Sequence, residues 1–251
     1  MSKLSGKIAV ITGGNSGIGY STAEELKAQG AEVVITGRSQ ERVEAAAQEL
    51  GVRGLVADVS DLGQIDALVE DVKGIYGKVD VLFVNAGVYV PSQIGDLDEK
   101  GYDYQMDINF KGAVFTIEKF LPILNEGASI INLASVVAYA GMAGSSIYAA
   151  TKAALLSYTR TAATELAPRG IRVNAVNPGP VATPIFSKTG MPEEQLKGFA
   201  EVMQNSVPLK RFGEPQEVAK LVSFLASDDA AYITGGEYNI DGGIAVPTLL
   251  N

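Results

Sequence analysis

Short apolar runs alternate with segments of helical period along nearly the whole chain. Lys7-Ile-Ala-Val-Ile-Thr12 is uninterrupted by polar positions and reads as a strand covered on both faces. Comparable runs at 32–36, 54–57, 79–84, 128–133, 171–176 and 237–240 bring the expected strands to about seven. Between them, the spacing predicts helices over 18–29, 40–50, 62–76, 99–124, 148–167 and 214–226. Gly30, Gly51, Gly77 and the Pro168/Gly170 pair mark where four of these helices should stop. Such alternation predicts an α/β fold, a doubly wound parallel sheet with helices on both faces. There is no repeat, low-complexity tract or linker, so a single domain over residues 1–251 is expected. The stretch after 180 is different: it holds Pro180, Pro184, Pro192 and Pro208 among Phe186, Met191, Phe199 and Met203. It reads as a substrate lid at about 181–212, with a packed excursion as the alternative.

Composition then narrows the chemistry. The chain has 251 residues, long enough to bury a core without a staple. It has no cysteine and no histidine. That excludes disulfides, thiol nucleophiles, imidazole acid–base work and Ser-His-Asp hydrolysis, and leaves no reason to expect a metal. Proton transfer must fall to Tyr, Lys, Asp or Glu. A net charge of −9 argues against nucleic acid and anionic membrane as partners. No apolar run approaches the ~18 residues that would span a bilayer. The opening Met-Ser-Lys-Leu-Ser-Gly-Lys lacks the pattern of a leader, so a soluble cytoplasmic protein is expected.

Thr12-Gly13-Gly14-Asn15-Ser16-Gly17-Ile18-Gly19 joins the first strand to the first helix. Glycines there permit a sharp turn and close approach to a pyrophosphate, and the helix start offers N–H groups and a positive dipole end. The sheet is therefore expected to be Rossmann-like. A plain strand–helix turn is the bland alternative. The second strand ends in Thr36-Gly37-Arg38-Ser39, without the acidic residue that would take a ribose 2′-hydroxyl. Arg38, helped by Ser39, could instead fork onto a 2′-phosphate, which favours NADP and leaves NAD possible. Arg38 stacked on adenine, or facing water, remains open.

Tyr148 and Lys152 are spaced i, i+4 at the start of a predicted helix. An ammonium ~4 Å from a phenol contributes ~4 kcal/mol at an effective dielectric of ~20. That corresponds to about three pKa units off a phenol's ~10; screening shrinks it and a cationic nicotinamide ring adds to it, so one lysine together with the oxidised coenzyme would make a working acid–base group without histidine. Taken alone, the pair could equally be a surface contact. Ser135 ends the fifth strand, thirteen residues before Tyr148, on the side of the sheet where ligands bind.

With Thr12 to Gly19, Asp58-Val59, Asn85-Ala86-Gly87, Asn109, Ser135, Tyr148 to Lys152, Asn177-Pro178-Gly179 and Asp241-Gly242-Gly243 in this order, the chain resembles the short-chain dehydrogenase/reductase family in its compact single-domain branch. It is similar to 3-oxoacyl-carrier-protein reductases and to sugar and alcohol dehydrogenases over essentially its whole length. The resemblance implies that Tyr148 exchanges the proton, Ser135 polarises the substrate oxygen, Lys152 binds the nicotinamide ribose and stabilises the phenolate, and Asn109 fixes a water linking Lys152 to solvent. It implies coenzyme contacts from Gly13, Asn15, Ser16, Gly17, Ile18, Gly19, Arg38 and Ser39. Asp58 and Val59 would hold the adenine and Asn85, Ala86 and Gly87 the adjoining ribose. Pro178, Gly179, Val181 and Thr183 would clamp the nicotinamide. Two positions depart from the pattern: Val84 replaces an asparagine, and Ser16 stands where NADP users often carry a base.

The expected function is an NADP(H)-dependent oxidoreductase that interconverts a carbonyl and a secondary alcohol. Val88, Tyr89, Val90, Val137 and Tyr139, with Val181, Ile185, Phe186, Met191 and Phe199 of the lid, suggest a hydrophobic ketone or 3-oxoacyl substrate over a sugar. The alternatives are an NAD-dependent sugar or polyol dehydrogenase, and a non-catalytic NADP-binding sensor. The resemblance also implies a homotetramer joined through the helices at 99–124 and 148–167 and the last strand, with the tail 246–251 buried against a partner copy.

Overall fold

The computed structural model describes residues 2–183 and 193–246; the side chains of 193, 195–197 and 199 are outside the description. Seven strands form one sheet: β1 (Ile8–Ile11), β2 (Glu32–Gly37), β3 (Arg53–Val56), β4 (Val79–Val84), β5 (Leu124–Leu133), β6 (Arg172–Pro178) and β7 (Glu237–Ile240). Every pairing is parallel and the order is β3-β2-β1-β4-β5-β6-β7. The order reverses between β1 and β4, so a crevice opens beyond their carboxyl ends.

Helices α1 (Gly17–Ala28), α2 (Gln40–Leu50), α3 (Leu62–Tyr76), α4 (Glu99–Met106), α5 (Gly112–Phe120), α6 (Ser146–Leu166), α7 (Glu193–Ser206) and α8 (Pro215–Ala226) accompany the strands. One apolar cluster joins α3, α5 and α6 to one face of the sheet, through residues such as Leu68, Ile117, Phe120 and Leu155. A second joins α1, α2 and α8 to the other, through Leu26, Ala47 and Val222. Alternate strand residues feed the two clusters: Val10 faces the first, Ala9 and Ile11 the second. Both faces being covered explains the uninterrupted apolar runs.

Two elements differ from the sequence expectation. The stretch read as one helix over 99–124 is broken: α4 gives way to a π-helical turn at Asp107–Lys111, then α5, then a 3-10 turn at Leu121–Ile123. One inserted residue leaves the apolar period almost unchanged, so the pattern cannot report it. The reason is tertiary. Gly112 presses against the β3–α3 loop, where a Cβ would lie 2.5 Å from the Val59 carbonyl oxygen and 2.9 Å from that of Asp107. The second difference is α7, a helix inside the segment that prolines had marked as irregular. Pro208 lies just beyond its end, where a proline is tolerated. Pro184, Ile185, Phe186, Met191 and Pro192 of the expected lid, the side chain of Phe199, and the tail beyond 246 lie outside the described residues. No described helix is long and apolar enough to cross a membrane.

Gly112→Ala places a methyl against two backbone carbonyls that cannot rotate away. We expect a loss of about 1–3 kcal/mol in urea unfolding. An unchanged midpoint would mean that this contact has slack.

Candidate active site

At the carboxyl ends of β1 and β4, a cleft of about 460 Å³ runs from the β2–α2 junction to the start of α6. That volume is within the range of small-molecule and coenzyme sites. Gly13, Asn15, Ser16, Gly17 and Ile18 line it from the first turn. Gly13 and Gly17 have φ of 65° and 55°, which only glycine adopts without strain. Gly19 faces inward against the turn and is buried. The turn is bolted to β4: Thr12 Oγ1 accepts from Asn85 N at 3.0 Å and Ala86 N at 3.1 Å, and Asn85 Nδ2 donates to Thr12 O at 2.8 Å. Asn85, Ala86 and Gly87 thereby form the cleft floor. Asp58 and Val59 line the far wall, with Asp58 Oδ1 held by Ser60 N at 2.9 Å and Ser60 Oγ at 2.7 Å.

The cleft suits an anionic dinucleotide. The helices α3 and α4 are capped by their own acids, Asp61 and Asp98, and α8 by a reciprocal Glu214–Glu217 box. At the β2–α2 end of the cleft, α1 begins at Ser16 and α2 at Ser39, both without a side-chain cap. Their leading N–H groups and dipole ends are therefore left to an incoming anion. Arg38, Ser39 and Arg42 line the same end. Arg42 was missed by the sequence reading. Its signal was a cation in the first turn of α2, where the helix dipole disfavours one unless an anion sits nearby. Gly37 matters too: a Cβ there would come within 2.5 Å of Asn15 Oδ1, so any side chain at this position would require Asn15 to turn away.

At the other end, Tyr148 and Lys152 stand one turn apart on α6 and both line the cleft. Lys152 is only 3% exposed. Its Nζ donates to Leu133 O at 2.7 Å and lies 5.7 Å from the centre of the Tyr148 ring. Ser135 is hydrogen-bonded to Tyr148. The Tyr148 ring is braced by Tyr89, edge-to-face at 5.2 Å between centres, and the Tyr89 hydroxyl bonds Ser145 at 3.1 Å. Asn109, buried in the π-turn, spends its side chain on Val88: Nδ2 donates to the carbonyl at 2.8 Å and Oδ1 accepts from the amide at 2.8 Å. A Cβ at Gly87 would crowd Asn109 Oδ1, at 3.3 Å, and touch Lys152 Nζ, at 3.6 Å.

The electrostatics depart from the sequence expectation. Burial pushes the Tyr148 phenol up to about 12, against a smaller lowering by the Ser135 hydrogen bond. Burial also brings the Lys152 ammonium down to about 8. The expected ~3-unit drop of the phenol is thus absent from the chain by itself. Desolvation dominates at both groups, and the ammonium directs its hydrogen bond to the Leu133 carbonyl.

Of the remaining anticipated residues, Thr183 lines the cleft. Pro178 and Gly179 sit behind the β6 end, fixed by Gly179 N to Ile240 O at 3.1 Å. Val181 is buried and bridges Gly213.

A family model described as enoyl-(acyl carrier protein) reductase matches residues 13–245. The chain belongs to the short-chain dehydrogenase/reductase family. As a member it is an NAD(P)-dependent oxidoreductase. It is 39% identical over 251 residues to a 3-oxoacyl-[acyl-carrier-protein] reductase of Thermotoga maritima, covering 97% of this chain and 100% of the relative. Among solved structures, a short-chain dehydrogenase/reductase of the glucose/ribitol dehydrogenase type from Brucella melitensis superposes with a TM-score of 0.90 at 34% identity, covering 96% of this chain and 98% of that one. A blue fluorescent protein from a metagenomic library, in complex with NADPH, gives 0.88 at 35% identity, covering 97% and 100%.

Lys152 yields a stability test with a definite sign. In the folded dehydrogenase/reductase it loses its proton near pH 8, against 10.5 when unperturbed. Between those values the unfolded chain holds more protons, so this group's contribution to stability rises with pH. Below pH 8 the whole burial cost, at most about 3 kcal/mol, is present. Lys152→Met is therefore expected to melt higher than the parent at pH 7, with the gap closing toward pH 10.5. A gap that ignores pH would show that the ammonium carries no such cost.

Proposed function

We propose that this protein is an NADP(H)-dependent reductase of a hydrophobic ketone or 3-oxoacyl-type substrate, working through Tyr148. The observation that carries the reading is the pairing of a half-buried phenol of pKa about 12 with a buried ammonium of pKa about 8 on one wall of the coenzyme cleft. At neutral pH the phenol is fully protonated, as a proton donor toward a carbonyl must be.

In this mechanism Ser135 donates a hydrogen bond to the substrate carbonyl oxygen and holds it against Tyr148. A bound NADPH supplies the hydride taken up by the carbonyl carbon. As negative charge grows on the oxygen, Tyr148 gives it the phenolic proton. The resulting phenolate is stabilised by the Lys152 ammonium, which is close to neutral-pH exchange and returns the proton. Asn109, by locking Val88, keeps the loop beside Lys152 in place. Gly13 to Gly19, Asp58, Val59 and Asn85 to Gly87 would hold the dinucleotide, with Pro178, Gly179, Val181 and Thr183 at its nicotinamide end. NADP over NAD is supported by Gly37, Arg38, Ser39 and Arg42 at the β2–α2 junction. A ketone or acyl substrate is supported by Val88, Tyr89 and Val90 along the cleft and by the relative from Thermotoga maritima. In the same reading, residues 1–251 act as one domain with a lid at about 181–212. The protein is a homotetramer, for which the exposed Tyr102 on α4 and Phe115 on α5 are the supporting feature.

Tyr148→Phe should abolish NADPH oxidation across a ketone panel, a fall of about 100-fold or more, while NADPH still binds. Near-parental turnover would remove Tyr148 from the mechanism. Arg38→Leu should weaken NADPH by roughly 10-fold or more and leave NADH almost unaffected. Equal losses would remove the 2′-phosphate from the account.

A further inference from the structure

We propose that Tyr104 is a positioning residue that holds Arg38 ready for the adenosine 2′-phosphate and so helps set the preference for NADPH over NADH. This rests on the NADP reading above and goes beyond it, because Tyr104 is far from the coenzyme motifs in sequence.

Arg38 is an exposed side chain at the end of β2. Left to itself, a long exposed arginine samples many rotamers, and ordering it on a ligand costs affinity. Here its Nη1 donates to the Tyr104 hydroxyl at 3.0 Å, across 66 positions of sequence. Both residues line the cleft, along with Ser39 and Arg42. The bond engages Nη1 and leaves Nε and Nη2 available to fork onto a phosphate.

The anchor itself is stiff. The Tyr104 ring is half-buried and packed on the apolar cluster below α4. The next residue, Gln105, is 1% exposed and accepts from Val90 N at 3.1 Å. One turn further, Asn109 locks Val88 from both sides. A rigid segment therefore presents one hydroxyl to a mobile cation beside Arg42, a second cation that the 2′-phosphate would also satisfy. A hydroxyl that orders the guanidinium before binding favours the ligand that carries a phosphate at that point. It offers nothing to a ligand with a bare ribose.

The test is coenzyme binding to the full chain, measured as Kd by fluorescence titration or calorimetry with NADPH and NADH in parallel. Tyr104→Phe keeps the ring and its packing and removes only the hydroxyl. We expect NADPH affinity to fall by about 5-fold with NADH affinity unchanged. In an Arg38→Leu background the same substitution should have no further effect on NADPH. Unchanged NADPH affinity in Tyr104→Phe would overturn the proposal. So would equal losses for NADPH and NADH, which would place Arg38 on the adenine ring. A full loss persisting without Arg38 would also overturn it. The two readings fail separately. If Arg38→Leu leaves the NADPH-to-NADH ratio intact, the 2′-phosphate reading itself is wrong. If Arg38→Leu collapses that ratio and Tyr104→Phe does not touch it, only the role of Tyr104 is wrong.

Discussion

An ammonium group shut away from water beside a phenol is the costly feature around which this end of the molecule is organised. Lys152 is nearly inaccessible, and its Nζ bonds the carbonyl of Leu133 at the end of β5. Desolvation of a charge is expensive unless something offsets it. Here the offset is partial, and the ammonium's pKa falls to about 8 as a result. Partial burial likewise pushes the Tyr148 phenol up, to about 12. Two groups that titrate close together in water are driven apart in opposite directions, so that the ammonium becomes the stronger acid and can return a proton to a phenolate. A bound cationic ring or an anionic substrate oxygen would move both again.

The coenzyme end uses the opposite device. The chain is acidic overall, at −9, yet Arg38 and Arg42 both line this end of the cleft and the starts of α1 and α2 are uncapped by side chains. Helices α3, α4 and α8 are closed by acids. Positive potential is thus concentrated where phosphates would lie and cancelled at those other helix starts, which gives direction to an otherwise repulsive surface.

Between the two ends runs the segment from α4 through the π-turn into α5. Tyr104 reaches Arg38, Gln105 reaches Val90, and Asn109 clamps Val88. Short π-turns recur at functional sites because one inserted residue rotates a side chain off the helical register. Here that register change accompanies the fit of Gly112 against the Val59 carbonyl. The coenzyme wall and the loop next to Tyr148 therefore share one rigid support.

Much of this was legible in the chain alone. Apolar runs with glycine stops give the strands and most helices, because burial on both faces of a parallel sheet needs only hydrophobic side chains at known spacing. The glycine turn, Ser135, Tyr148 and Lys152 stood out for another reason: each is a weak signal alone, and their order along the chain with the other marks resembles the family's pattern. The π-turn was not, since its cause is a contact with a loop some fifty residues earlier, Val59 against Gly112. Nor were Tyr104 and Arg42, whose neighbours are fixed by how α4 and α2 pack on the sheet. The phenol's pKa in the chain by itself was not legible either. Charge spacing could be read from Tyr148 and Lys152, but burial could not, and in the folded chain burial dominates at both groups. Sequence by itself determined which elements form and which chemistry is available; tertiary packing alone decided how dry that chemistry is, because desolvation depends on every neighbour at once.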